Sequence, residues 1–245
     1  LHKLMQNKKI NELYELVRIL REKYKKPSFF SRKLISIFKK NNQYKEGIEE
    51  CIVYLMDSSN THSNFLSKKI IIEQIFEFSD ELLEKALIAN LYLPITSKQF
   101  TSNTFLNSNF SKIDKQNDIE YIMKVYNILI EYNINNEEAK LRLADIKYRI
   151  LHDLDNAYIM YDELENQSSK LDIDTKASLG KIDILISKGY LDSASSLIEN
   201  KIKIANKYNF STSIKDELDY KNTQILFYKG DYLKMNEALD SLIKK

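Results

Sequence analysis

Gly189-Tyr190-Leu191-Asp192-Ser193-Ala194 and Gly230-Asp231-Tyr232-Leu233-Lys234-Met235 share one layout: a glycine, an apolar residue two places on and a packing residue five places on. Glycine accepts the left-handed backbone that ends a helix, and a compact side chain further along lets the next helix approach closely. Each stretch therefore reads as the turn of a helical hairpin. Asn42 to Gly47, with Tyr44 between them, is a weaker copy in which asparagine takes the turn.

Outward from these turns, apolar residues recur at three- and four-residue steps. Ile10, Leu13, Val17, Leu20 and Tyr24 stripe a first helix that Pro27 ends, a second helix over 28–40 buries Leu34, Ile35 and Phe38, and a third carries Ile48, Cys51, Ile52 and Leu55. After the polar run Asp57 to Asn64, one helix is expected through Phe65, Ile70, Ile72, Ile75 and Phe76 and another over 80–91, a pair that Pro94 closes. Residues 95–117 are rich in Ser, Thr, Asn and Gln yet contain Phe100, Phe105, Leu106, Phe110 and Ile113, so they read as a degenerate helix with an irregular flank. Beyond them, helices are expected over 118–132, 137–151, 155–167, 174–188, 191–208, 213–229 and 232–244. Short connections make sequential helices antiparallel neighbours. No segment reads as a strand.

Leu141, Ala144, Asp145, Tyr148, Ala157, Tyr161 and Leu164 place large, small and aromatic residues in an order that resembles the tetratricopeptide repeat. The two glycine turns resemble that family's inter-helix turn, and Asn133 to Ala139 resembles its inter-repeat loop without the proline common there. The anchors Ala157, Ala194 and Met235 are separated by 37 and 41 residues, longer than the family's regular period, so the repeats are divergent. The resemblance implies an all-α fold, a right-handed α-α superhelix (solenoid) of antiparallel TPR-like helix hairpins. The expected organisation is N-terminal hairpins over 1–92, an irregular connection over 93–117 and C-terminal repeats over 118–245.

Composition agrees with helix. Four glycines and two prolines are too few for the tight turns of an all-β chain of 245 residues, and 43% apolar residues suffice for a sizeable core. One cysteine, Cys51, excludes an internal disulfide framework. No apolar run approaches the roughly 18 residues that a membrane-crossing helix needs, no signal peptide is visible, and the chain reads as soluble. It opens with Leu1, which is compatible with a segment of a longer protein, and the compartment stays open. The net charge of +2 is uneven: residues 1–50 hold 13 Lys or Arg against 6 Asp or Glu, which reads first as a solvated helix face.

Catalytic chemistry finds little support in these residues. His2, His62 and His152 are far apart and none has a partner at metal-ligand spacing, so no metal or cofactor is expected. Cys51 sits at an apolar helical position and reads as a small hydrophobe. No glycine-rich phosphate loop exists. The pairs Glu49/Glu50, Glu137/Glu138 and Asp172/Asp174 read as helix-end or surface charges, and the sixteen tyrosines as packing residues.

The resemblance instead implies binding, because in tetratricopeptide folds the first helix of each hairpin lines a concave groove. At the groove-facing fifth and twelfth positions of the repeat stand Arg32 and Lys39 in one hairpin and Arg142 and Arg149 in another, with Asp183, Tyr220 and Gln224 farther along. Residues seven apart share a helix face, so the cationic pairs suit an acidic peptide or a terminal carboxylate. The family's chaperone-binding carboxylate clamp is not reproduced. The expected function is a non-catalytic scaffold for a protein or peptide, against two alternatives: an RNA-binding helical repeat, which the near-neutral total opposes, and a helical accessory domain of a longer enzyme.

Overall fold

Turn residues with a left-handed backbone punctuate the chain where the sequence places its hairpins. In the computed structural model, which describes residues 10–57, 65–96, 109–168, 170–208 and 210–243, positive φ occurs at Asn42 (56°), His152 (54°), Gly189 (76°) and Gly230 (78°). Each stands five residues before the close-packing position, occupied by Gly47, Ala157, Ala194 and Met235. The amides of Gln43, Tyr190 and Asp231 each donate to a carbonyl five residues back, at 3.0, 2.8 and 2.9 Å, which satisfies the helix end. His152 fills the fourth turn without being a glycine or asparagine, and Asp153 then accepts from the amide of Asn156 to cap the next helix.

Among the described residues the structure contains eleven α-helices and no strand: α1 (Ile10–Tyr24), α2 (Ser31–Lys40), α3 (Tyr44–Met56), α4 (Phe65–Thr96), α5 (Asn109–Glu131), α6 (Asn136–Arg149), α7 (Leu154–Gln167), α8 (Leu171–Ser187), α9 (Leu191–Lys207), α10 (Thr212–Tyr228) and α11 (Tyr232–Ile243). From α6 onward the bounds match the expected ones to within three residues. Two expectations fail. The helix pair over 65–76 and 80–91 is the single helix α4, because no glycine or proline interrupts 73–85 and the buried Ser79 hydroxyl donates to its own helix at the Ile75 carbonyl, 2.8 Å away. The helix expected from 118 begins at Asn109 instead. The loop 58–64, and Phe100, Phe105 and Leu106, lie outside the described residues, as do the side chains of Phe110 and Ile113.

The chain divides into two compact units, Leu1–Lys124 and Val125–Lys245. In the first, Leu13 and Val17 of α1 meet Leu34 and Phe38 of α2, and α3 packs between α2 and α4. The Arg21 guanidinium ties these layers together. It forms a two-pronged ion pair with Glu50 of α3 at 2.5 and 3.2 Å and donates to the Phe29 carbonyl and the Ser31 hydroxyl. Glu50 is only 2% exposed, which corrects its expected place on the surface. Close approach of α3 and α4 requires Gly47, since a Cβ there would lie 2.5 Å from the Phe78 ring.

The second unit repeats one pattern. Hairpins α6/α7, α8/α9 and α10/α11 follow one another, and the first helices α6, α8 and α10 also pack side by side. One core joins Leu141, Ala144, Ala157, Tyr161, Leu164, Ile173, Ala177 and Ile184. Another joins Ile182, Ala194, Ile198, Leu218 and Ile225. Fully burying each large aliphatic side chain contributes about 1.5–3 kcal/mol. Ala157 is buried where α7 meets α6, the role its spacing predicts.

Candidate functional site: the wall of first helices

Because α6, α8 and α10 pack side by side, residues at matching register positions on them form neighbouring rows. Arg142 on α6 is half-buried, and its Nε donates to Glu138 Oε1 at 3.0 Å one turn earlier. Arg149, seven residues on, is exposed. Lys176 on α8 hydrogen-bonds Asp172, which raises its ammonium above the ordinary lysine range; the nearby Glu138 charge adds to this and Arg142 opposes it. Asp183 bridges to Lys221 of α10 at 2.5 Å. On α10, Tyr220 is exposed and Gln224 half-buried.

The wall is therefore a mixed surface of partly self-neutralised cations with aromatic rings at its α10 end. Arg142, Asp183, Tyr220 and Gln224 fall on these three helices, and Arg149 joins them. Arg32 and Lys39 belong to the first unit, where Arg32 lies over the Tyr54 ring of α3 at 5.7 Å and Lys39 bonds Glu77 of α4 at 2.6 Å. Lys176 and Lys221 are not among the groove positions expected from the sequence; Lys221 meets Asp183 only once α8 and α10 pack.

Beneath the wall, the Tyr161 hydroxyl donates to Asp145 Oδ1 at 2.5 Å. Burial raises the Asp145 carboxyl above its usual range, against the pull of Tyr161, Arg149 and Arg142. Burial likewise raises the Tyr161 phenol, with Asp145 adding to the effect.

Among the described residues, a network of titratable groups joins α7, α8 and α9. Lys181 reaches Asp162 and Glu165 at 2.6 and 2.5 Å, and Lys201 reaches Glu165 and Asp174 at 3.1 and 2.9 Å. Burial alone would raise Glu165, but the hydrogen bonds and charges of the two lysines outweigh it and hold the carboxyl below its ordinary range. Asp174 stands in the first turn of α8, in keeping with the helix-end reading, and is also a half-buried member of this ion network. Such a network joins helices; with each ammonium held by carboxylates, it offers no open position for a substrate.

Other expectations fare unevenly. Cys51 is buried, and burial, then the Glu50 charge, pushes its thiol well up, which suits packing. His2 and His62 lie outside the described residues, and His152 is the turn residue noted above. The described residues contain no His, Cys, Asp or Glu group arranged for a metal ion, and no helix long and apolar enough to cross a membrane. The tyrosine expectation is corrected: Tyr44, Tyr54, Tyr126 and Tyr161 are buried, while Tyr14, Tyr24, Tyr132, Tyr190, Tyr208, Tyr220, Tyr228 and Tyr232 are exposed. Tyr24, Tyr132, Tyr190, Tyr208, Tyr228 and Tyr232 stand at or beside helix ends, which apolar periodicity does not distinguish from core.

No protein-family model matches the chain, and no curated protein matches it. Among solved structures, the chain is similar to the crystal structure of a Podosopora anserina protein named as a kinesin light chain with nearly identical TPR-like repeats. That likeness has 12% identity and a TM-score of 0.49 over 89% of this chain and 94% of that one.

Proposed function

We propose that this chain is a non-catalytic helical-repeat scaffold that binds an acidic protein segment or peptide along the wall of α6, α8 and α10. The observation that supports this reading is the side-by-side packing of these three first helices, two of which carry Arg142, Arg149 and Lys176 and the third the exposed Tyr220. Cations that exchange an internal carboxylate for a ligand carboxylate lose little, and exposed rings supply apolar area at low conformational cost. Arg32 and Lys39 form a second, separate cationic pair on the first unit.

The test is affinity capture with mass spectrometry, using the chain and its Arg142→Glu/Arg149→Glu variant at equal helicity by circular dichroism. Expected is a partner retained by the parent chain, released by moderate salt and lost by the variant. Equal capture by both proteins would remove this wall as the site. Binding of an RNA oligonucleotide with a steep salt dependence would favour nucleic acid over protein.

A further inference from the structure

The connection from α1 to α2 concentrates positive charge. From Arg18 to Lys45 the chain holds ten Lys or Arg and one acid, Glu22. Arg18, Arg21, Lys39 and Lys45 are each paired with a carboxylate. Lys23, Lys25, Lys26, Arg32 and Lys33 are exposed and meet no carboxylate among the described residues. Their corner is held in place, since the Ser28 amide donates to Asp57 at 2.9 Å and Arg21 Nε to the Phe29 carbonyl at 3.0 Å.

Two of these placements lower stability in a corner that faces only water. Cations suit a helix C-terminus and oppose the dipole at an N-terminus. Helices α3, α6, α7, α8 and α9 open accordingly with acidic residues, whereas α2 opens with Arg32 and Lys33 and has no acid in its first turn. Lys25 ends α1 at a φ of 50°, the left-handed backbone that Asn42, Gly189 and Gly230 supply at other turns, and the Lys26 amide closes this turn onto the Arg21 carbonyl at 3.1 Å. A lysine thus stands where glycine fits better. Local rules broken together, with no internal partner gained, point to a requirement outside the chain.

We propose that this corner docks on the surface of a membrane containing anionic phospholipids. Five exposed cations on one connection and its flanks suit a sheet of phosphate and carboxylate headgroups. A nucleic-acid strand is gripped by successive stacking rings, and from Arg18 to Lys45 only Tyr24 is an exposed ring. Protein interfaces are depleted in lysine, which supplies four of the five cations. Beside them Ile19 and Tyr24, 55% and 56% exposed, offer apolar bulk at headgroup depth. The helices stay outside the bilayer, as none is long and apolar enough to cross it among the described residues.

Cosedimentation of the chain with vesicles tests the proposal, using phosphatidylcholine alone and phosphatidylcholine with phosphatidylserine at about two to one. Binding is expected to the anionic vesicles only and to fall as salt rises. Each cation strengthens it about fivefold, so Lys23→Glu/Lys26→Glu/Lys33→Glu should weaken it about a hundredfold or more at unchanged helicity. Lys25→Gly should weaken it about fivefold without lowering Tm, because glycine relaxes the turn as it removes the charge. Arg142→Glu/Arg149→Glu should leave vesicle binding unchanged, which separates this proposal from the peptide-binding one. Equal binding to both kinds of vesicle, or anionic binding indifferent to the lysine substitutions, would overturn it. Tighter binding of a single-stranded oligouridylate than of the anionic vesicles, lost in the same lysine variant, would overturn it in favour of nucleic acid.

Discussion

Replacing Gly180 by alanine, ordinarily a favourable change inside a helix, should destabilise this protein. An added Cβ would stand 2.5, 2.6 and 2.8 Å from three carbons of the Tyr161 ring. Restoring ordinary contact requires the ring to retreat by about 1 Å. Tyr161 is fully buried, and its hydroxyl is held by Asp145, so retreat strains the surrounding core and stretches a 2.5 Å hydrogen bond beyond its useful range. Overpacking of this kind costs about 1–3 kcal/mol, and loosening the bond to a buried carboxylate adds about 1–3 kcal/mol. The helix propensity gained on removing glycine returns only about 1 kcal/mol. The net loss is about 1–5 kcal/mol, read as a fall in Tm of about 2–4 °C per kcal/mol for a chain of this size. Thermal unfolding followed by circular dichroism at 222 nm measures it. In a Tyr161→Leu background, where the ring is gone, the same Gly180→Ala change should become neutral or stabilising. A rise in Tm for the single substitution would refute the close approach of α7 and α8 on which the calculation rests.

Arg21→Met should cost about 3–5 kcal/mol because it strands the buried Glu50, whereas Arg21→Met/Glu50→Leu should recover most of that loss, as denaturant unfolding will show. Ala157→Leu should cost about 1–3 kcal/mol by prising α7 from α6, and an unchanged Tm would contradict the repeat register. Acid should loosen the second unit. Glu165 is held below its ordinary range in the folded state, so its contribution is present above about pH 4.5, its unfolded value, and lost as pH falls through the lower folded value; Asp145, shifted upward, contributes in the opposite sense below about pH 4. Glu165→Gln should flatten the low-pH slope in pH-dependent melting, and a slope identical to the parent's would show that the lysine pair does not act through this carboxylate.

The fold was legible because its determinants are local. Turn residue and packing residue five places on are set by backbone geometry and by the space between two helices, and both leave a mark in the sequence at Asn42/Gly47, Gly189/Ala194 and Gly230/Met235. Gly180 left no such mark: it lies inside a helix, and its reason, the Tyr161 ring, comes from another helix. The same distinction explains Glu50, which looks like a helix-end or surface charge in the sequence and is buried against a cation that sits far away along the chain, Arg21.

That distinction also sets how far a binding site could be anticipated. Periodicity identifies the helix face on which Arg142 and Arg149 lie, since residues seven apart share a face whatever surrounds them. It is blind to which carboxylate each cation meets, because Asp183 finds Lys221 and Lys39 finds Glu77 only after hairpins stack. A groove charge already paired inside the wall gains less from a ligand than an unpaired one, as exchange of one carboxylate for another leaves mainly the geometry to choose between them. Recognition on such a wall should therefore depend more on the fit of the peptide backbone and its apolar side chains against Tyr220 than on peptide charge alone. Neutralising single acidic residues of a captured peptide should weaken it severalfold, whereas Tyr220→Ala should weaken all captured peptides alike; if charge neutralisation abolished binding while Tyr220→Ala left it intact, the internal pairing would have no energetic weight.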